Sequence, residues 1–218
     1  MAKLGFEYLV VARIDYKEKD IRKEKKELEF IWYPTWSLDR GQTKIFTYIS
    51  HDHYSVDYKV FKNFLEEYNL KLNNYVNKIK LISEKAVEYF QNITKWYKTD
   101  HIFFFYGDDF TFQKANVSNI NLEYIMDNIN NNAEFNSTLR MEYSTPTKYF
   151  AEIKKEYTNW PTYKDNDFFP YADKSFVYWT GFFTTRPYLK GLIRDAGKYL
   201  SNISKLMINE LMKDRNPV

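Results

Sequence analysis

The chain has 218 residues, 44% of them hydrophobic and only 6 Gly and 6 Pro, which is enough apolar material for a packed core and excludes collagen-like or wholly disordered polypeptides. Its 32 Lys and Arg against 29 Asp and Glu leave a formal charge of +3 with both signs interleaved, a balance that gives no reason to expect nucleic acid as a partner. Cysteine is absent, which excludes disulfide scaffolds, thiolate metal sites and cysteine nucleophiles, and no apolar run approaches the roughly 18 residues of a membrane span.

Residues 7–14 form a nearly continuous apolar run, read as a strand covered on both faces. Arg13 falls late in that run, and a buried guanidinium there would need acidic or hydroxyl partners in a polar cavity. From Tyr16 to Phe30 dense charges of both signs at helical spacing predict a solvated helix. Residues 43–50 alternate polar and apolar and predict a second strand. His51-Asp52-His53 has the spacing of a shared metal ion, but its polar surroundings favour a solvated loop. Over 75–96, Val76, Ile79, Ile82, Ala86, Phe90 and Ile93 recur at steps of three and four, the mark of an amphipathic helix.

His101-Ile-Phe-Phe-Phe-Tyr106 then reads as an apolar strand running into Gly107-Asp108-Asp109-Phe110. In parallel α/β folds the carboxyl ends of strands carry the reactive groups, so this pair is the best catalytic candidate in the chain. Successive residues leaving a strand point in different directions, which predicts two roles for the two carboxylates. An acid among apolar rings and beside a second carboxylate suits proton donation, although Asp-Asp alone fits a turn or a helix cap as well.

Further on, 122–131 predicts a helix capped at Asn119 or Asn121, 138–143 a strand, and 144–157 a helix with Pro146 in its first turn. Strands alternating with helices point to parallel α/β units. Residues 160–187 lose all periodicity, and irregular stretches of that length are often functional. Within them Trp179 could stack on a sugar ring or plug the core. Leu189, Leu192, Ile193, Ala196, Leu200, Ile203, Met207 and Leu211 trace the apolar stripe of a long last helix, which wants partner helices.

The blocks Gly5-Phe6, Val10-Val11-Ala12-Arg13-Ile14-Asp15-Tyr16, Leu28-Glu29-Phe30-Ile31-Trp32, Tyr106-Gly107-Asp108-Asp109-Phe110, Tyr143-Ser144-Thr145-Pro146, Asp167-Phe168-Phe169-Pro170-Tyr171-Ala172-Asp173 and Tyr178 through Pro187 occur in this order. Together they resemble glycoside hydrolase family 38, the class II α-mannosidases. The resemblance implies an α/β chain: the C-terminal part of a (β/α)7-type parallel barrel over 1–183, then the first helix of a three-helix-bundle domain over 184–218. It also implies a retaining hydrolase that removes terminal α-linked mannose from glycans, with zinc gripping sugar hydroxyls, in the lysosome, vacuole or Golgi. Asp109 would be the general acid/base and Asp108 a substrate contact. Arg13 would match the arginine near the nucleophile and the sugar, Trp179 the ring lining the sugar site, and Asp57 a sugar-binding aspartate.

The family's zinc ligands come from a His-x-Asp segment, from the nucleophilic aspartate and from a His-Asp-Gly segment, and none of these lies in residues 1–218. The resemblance therefore implies a fragment of a parent enzyme, without nucleophile or zinc ligands and inactive by itself. The alternative is a noncatalytic carbohydrate-binding or scaffolding relative of the same fold.

Overall fold

In the computed structural model, which describes residues 1–55 and 76–213, two compact units are formed, Met1–Lys174 and Ser175–Val218. The first unit opens with strand β1 (Tyr8–Val11) and helix α1 (Tyr16–Lys25). Asp15 caps α1 by accepting the Lys17 and Glu18 amides at 2.9 and 3.3 Å. The helix stops at Lys26, whose left-handed backbone (φ 55°) lets its amide bond the Arg22 and Lys23 carbonyls. The expected helix through Phe30 is therefore shortened, and Glu29–Tyr33 is instead strand β2. A short helix α2 (Trp36–Asp39) leads to β3 (Ile45–Ile49).

β3 runs parallel to β1 and antiparallel to β2, and β2 runs parallel to β4 (Thr162–Lys164), giving the order β1-β3-β2-β4. The chain is thus mixed α/β with a mostly parallel sheet, and no closed barrel forms among the described residues. All five residues of central β3 are buried, whereas edge strand β1 is only half-buried, so the apolar run of 7–14 reflects less burial than expected. Helix α3 (Val76–Thr94) packs on α4 (Ala115–Asn131) through Ile82, Ala86, Phe90, Ile93, Ile125 and Ile129. Helix α4 starts earlier than the asparagine caps suggested; Asn121 lies inside it, buried. Helix α5 (Pro146–Glu156) is capped by the Thr145 hydroxyl and covers the sheet with Tyr149, Phe150 and Ile153.

Between these layers runs 101–106, which has no strand ladder, contrary to expectation, and neither does 138–143. It is still sided like a strand: Phe104 and Tyr106 pack on the helical cluster, Phe103 and Phe105 on the sheet cluster. That double covering explains a continuous apolar run. A cavity of about 1090 Å³ lies beside it, lined by 101–106, 138–144 and facing residues of α3, α4 and α5. The unit closes with β5 (Ala172–Lys174).

The second unit carries β6 (Val177–Tyr178), α6 (Gly181–Thr184) and the 27-residue α7 (Pro187–Lys213). No residue of α7 is buried, so its apolar stripe is open over the full length described. Among the described residues no helix is long and apolar enough to cross a membrane.

Candidate functional site

Three of the five residues singled out from the sequence, Arg13, Asp108 and Asp109, meet at one edge of the first unit. The turn carrying the carboxylates is tightly specified. Gly107 has φ 152°, and a Cβ there would stand 2.8 Å from Phe112 Cε2, so glycine is required. Phe110 and Phe112 also adopt positive φ (60° and 64°), a concentration of strained backbone of the kind functional turns retain. Thr111 ties the turn off: its hydroxyl bonds the Asp108 carbonyl at 2.7 Å and receives the Asp108 amide at 3.0 Å.

Each carboxylate has a distinct partner on 53–55. Tyr54 Oη donates to Asp109 Oδ1 at 2.8 Å, and Ser55 Oγ donates to Asp108 Oδ1 at 3.0 Å. Asp108 Oδ1 also accepts the Asp109 amide at 2.7 Å. The bond to Asp109 pushes the Tyr54 phenol above its ordinary range, because losing that proton would set two anions against each other. Arg13, expected to be buried, is exposed; its Nε–H donates to His53 Nε2 at 3.2 Å. Its guanidinium lies 5.4 Å from the Tyr54 ring and 5.9 Å from that of Tyr171. Partial burial, then the Arg13 and Lys19 charges, hold His53 below its ordinary value, consistent with a neutral acceptor.

Lys19 supports this edge from beneath. Buried in the face of α1 that the sequence assigns to solvent, its ammonium bonds Ala12 O at 2.7 Å and also Asp52 O. Burial, and then Lys23, lower it to about 8. Arg22 turns inward as well, bonded to Glu18 at 2.7 Å and 4.3 Å from the centre of the Phe30 ring. The solvated-helix reading of α1 is thereby corrected, since two of its cations anchor the neighbouring loop and strand.

The solvated-loop reading also fails for His51, which is buried with Nε2 2.7 Å from Tyr89 Oη and Nδ1 3.1 Å from Tyr97 Oη. Burial, reinforced by Lys23 and Lys19, lowers it to about 3. With His51 turned inward and His53 bonded to Arg13, these residues do not fit a zinc centre. Among the described residues no three His, Cys, Asp or Glu side chains come together to hold a metal.

Trp179 lies in the second unit, 40% exposed, between β6 and α6. Asp57 lies outside the described residues. Sequence reasoning passed over Tyr54 and Ser55 as partners of the carboxylates. They stand 55 and 53 positions from them, and no local pattern marks such a pairing.

Residues 1–174 match the family described as the glycosyl hydrolases family 38 N-terminal domain. The chain belongs to glycosyl hydrolase family 38. Within this family it is 30% identical to a lysosomal alpha-mannosidase of Cavia porcellus, over 94% of this chain and 21% of that protein. It is 29% identical to the lysosomal alpha-mannosidase of Homo sapiens, over 94% of the chain and 20% of that protein. A probable alpha-mannosidase of Arabidopsis thaliana is 32% identical, over 91% and 19%. The chain thus spans about a fifth of the length of the curated family 38 relatives it matches.

Proposed function

We propose that this family 38 chain is part of the catalytic domain of a retaining α-mannosidase that removes terminal α-linked mannose from glycans. Asp109 is its general acid/base. The observation that carries this is the exposed Asp109 carboxylate, bonded by Tyr54, whose ring in turn lies 5.4 Å from the Arg13 guanidinium. In the first step Asp109 gives its proton to the glycosidic oxygen while a carboxylate nucleophile, supplied by a segment outside this chain, attacks the sugar from roughly 5 to 5.5 Å away. In the second, Asp109 takes a proton from the water that releases mannose. Asp108 accepts a sugar hydroxyl, and Arg13 pairs with the nucleophile and the sugar. Asp57 and Trp179 are proposed sugar contacts on the family resemblance alone.

On this reading the sheet belongs to a (β/α)7-type barrel that the remainder of the parent enzyme completes. Residues 1–183 end the catalytic domain and 184–218 begin a three-helix bundle. Zinc belongs to the complete enzyme, held by residues other than those described here, and the 218-residue chain alone releases no mannose. The test is to titrate the isotope-labelled chain with methyl α-D-mannopyranoside. Saturable resonance shifts centred on 107–109, Arg13 and 53–55 are expected; saturable shifts confined to other surfaces, or none, would overturn the assignment.

A further inference from the structure

Three consecutive residues each hold a different member of the candidate site. His53 Nε2 takes the Nε–H of Arg13 at 3.2 Å, Tyr54 Oη bonds Asp109 Oδ1 at 2.8 Å, and Ser55 Oγ bonds Asp108 Oδ1 at 3.0 Å. The three partners come from the end of the β1 segment and from the turn after 101–106, so 53–55 bridges two otherwise separate parts of the chain. The bridge is itself anchored. Ser50 Oγ bonds the His53 carbonyl at 2.7 Å. Lys19 Nζ joins the carbonyls of Ala12 and Asp52, the residues immediately before Arg13 and His53. The rings of His53 and Tyr54 are in contact, their centroids 4.1 Å apart and their planes tilted by 46°.

We propose that His53, Tyr54 and Ser55 are positioning residues, each fixing one working side chain: Arg13, Asp109 and Asp108 respectively. The inference rests on the reading of those three as the sugar-handling groups. Its physical content is orientation. An exposed aspartate has little to choose between its χ1 rotamers, and a rotamer change moves its oxygens by more than the half-ångström tolerance of a productive site. A hydroxyl donor on one oxygen removes that freedom and directs the other. Tyr54 thereby sets which oxygen of Asp109 meets the glycosidic bond, and Ser55, together with the Asp109 amide on the same oxygen, does so for the hydroxyl contact of Asp108. His53 holds the Arg13 side chain through its Nε–H and so fixes the plane of the guanidinium.

The proposal is tested on the whole 218-residue chain by nuclear magnetic resonance without sugar, reading the χ1 scalar couplings of Asp108 and Asp109 and the exchange of the Arg13 Nε–H with water. Tyr54→Phe, Ser55→Ala and His53→Phe each delete one bond and keep most of the packing. Tyr54→Phe is expected to move the Asp109 couplings from single-rotamer to averaged values and leave those of Asp108 unchanged, and Ser55→Ala to move the Asp108 couplings alone, by less, because the Asp109 amide still holds Asp108 Oδ1. His53→Phe is expected to accelerate Nε–H exchange of Arg13 at least tenfold with both aspartates unmoved. Loosening of all three partners by any one substitution would mean a merely structural loop, and no loosening by any of them would mean no positioning; either overturns the proposal. The sugar titration fails separately: an intact residue-by-residue pattern in a chain that ignores the mannoside sinks the mannosidase reading and leaves the positioning residues standing.

Discussion

Two buried ionisable side chains, neither at the candidate site, set how the first unit responds to pH. Glu29, on β2, is 1% exposed; one carboxylate oxygen accepts the Tyr149 hydroxyl and the other has no hydrogen-bond partner among the described residues. Burial raises it from 4.5 to about 7, against the smaller opposing effects of Tyr149 and Lys98. Tyr48, opposite it on β3, and Tyr97 stand close by as neutral phenols. The folded chain therefore binds a proton at Glu29 that the unfolded chain has released, and stability falls as pH rises from about 4.5 to about 7. His51 acts in the opposite sense. Lowered from 6.5 to about 3 among Tyr89, Trp96, Tyr97, Lys19 and Lys23, it leaves the unfolded chain with the extra proton, and stability falls as pH drops through that window. Where the windows overlap, between about 4.5 and 6.5, the two effects oppose each other. Urea unfolding across this range should change little with pH in the native chain. It should gain stability with rising pH by about 1 kcal/mol per pH unit in Glu29→Gln, and lose about as much in His51→Phe. Slopes of the same sign in the two variants would contradict the account. None of this was legible in the sequence, because Glu29 looked like one more helix charge and His51 like loop, and their partners lie 120 and up to 46 residues away.

Among the elements, legibility followed how local the deciding interaction is. Helix α5 was readable because Thr145 and Pro146 mark its start within two residues. The stripes of α3 and α7 were readable because helical period is local too. β2 was missed because its two buried leading residues, Glu29 and Phe30, follow an uninterrupted charge run, and only the left-handed Lys26 separates helix from strand. Segment 101–106 was read as a strand on its apolar character, which marks double covering but not hydrogen-bonded neighbours, and 138–143 likewise has no ladder. Without a ladder and beside a cavity of about 1090 Å³, the amides of 102–106 should exchange with deuterium well before those of β3, which bonds to β1 and β2. Equal protection of the two segments would show that 102–106 is already laddered.

For the whole molecule, residues 1–174 establish family 38 membership, and the proposed glycoside hydrolysis adds to it an arginine and two oriented carboxylates at the edge of the first unit. Arg13 and the Asp pair could be singled out as candidates because they stand at the ends of apolar runs, whereas the bridge that joins them could not, since only the fold brings 53–55 to both. The central claim is the acid/base role of Asp109. Its most direct test is leaving-group dependence in a polypeptide that carries this chain together with the four-fifths of length its relatives add. Asp109→Asn should slow release of methanol from methyl α-D-mannopyranoside by about 10²- to 10⁴-fold, the usual contribution of a general acid. Formation of the glycosyl-enzyme from 2,4-dinitrophenyl α-D-mannopyranoside, whose leaving group needs no proton, should stay within a few fold of the unsubstituted enzyme. Equal losses on both substrates would contradict the assignment.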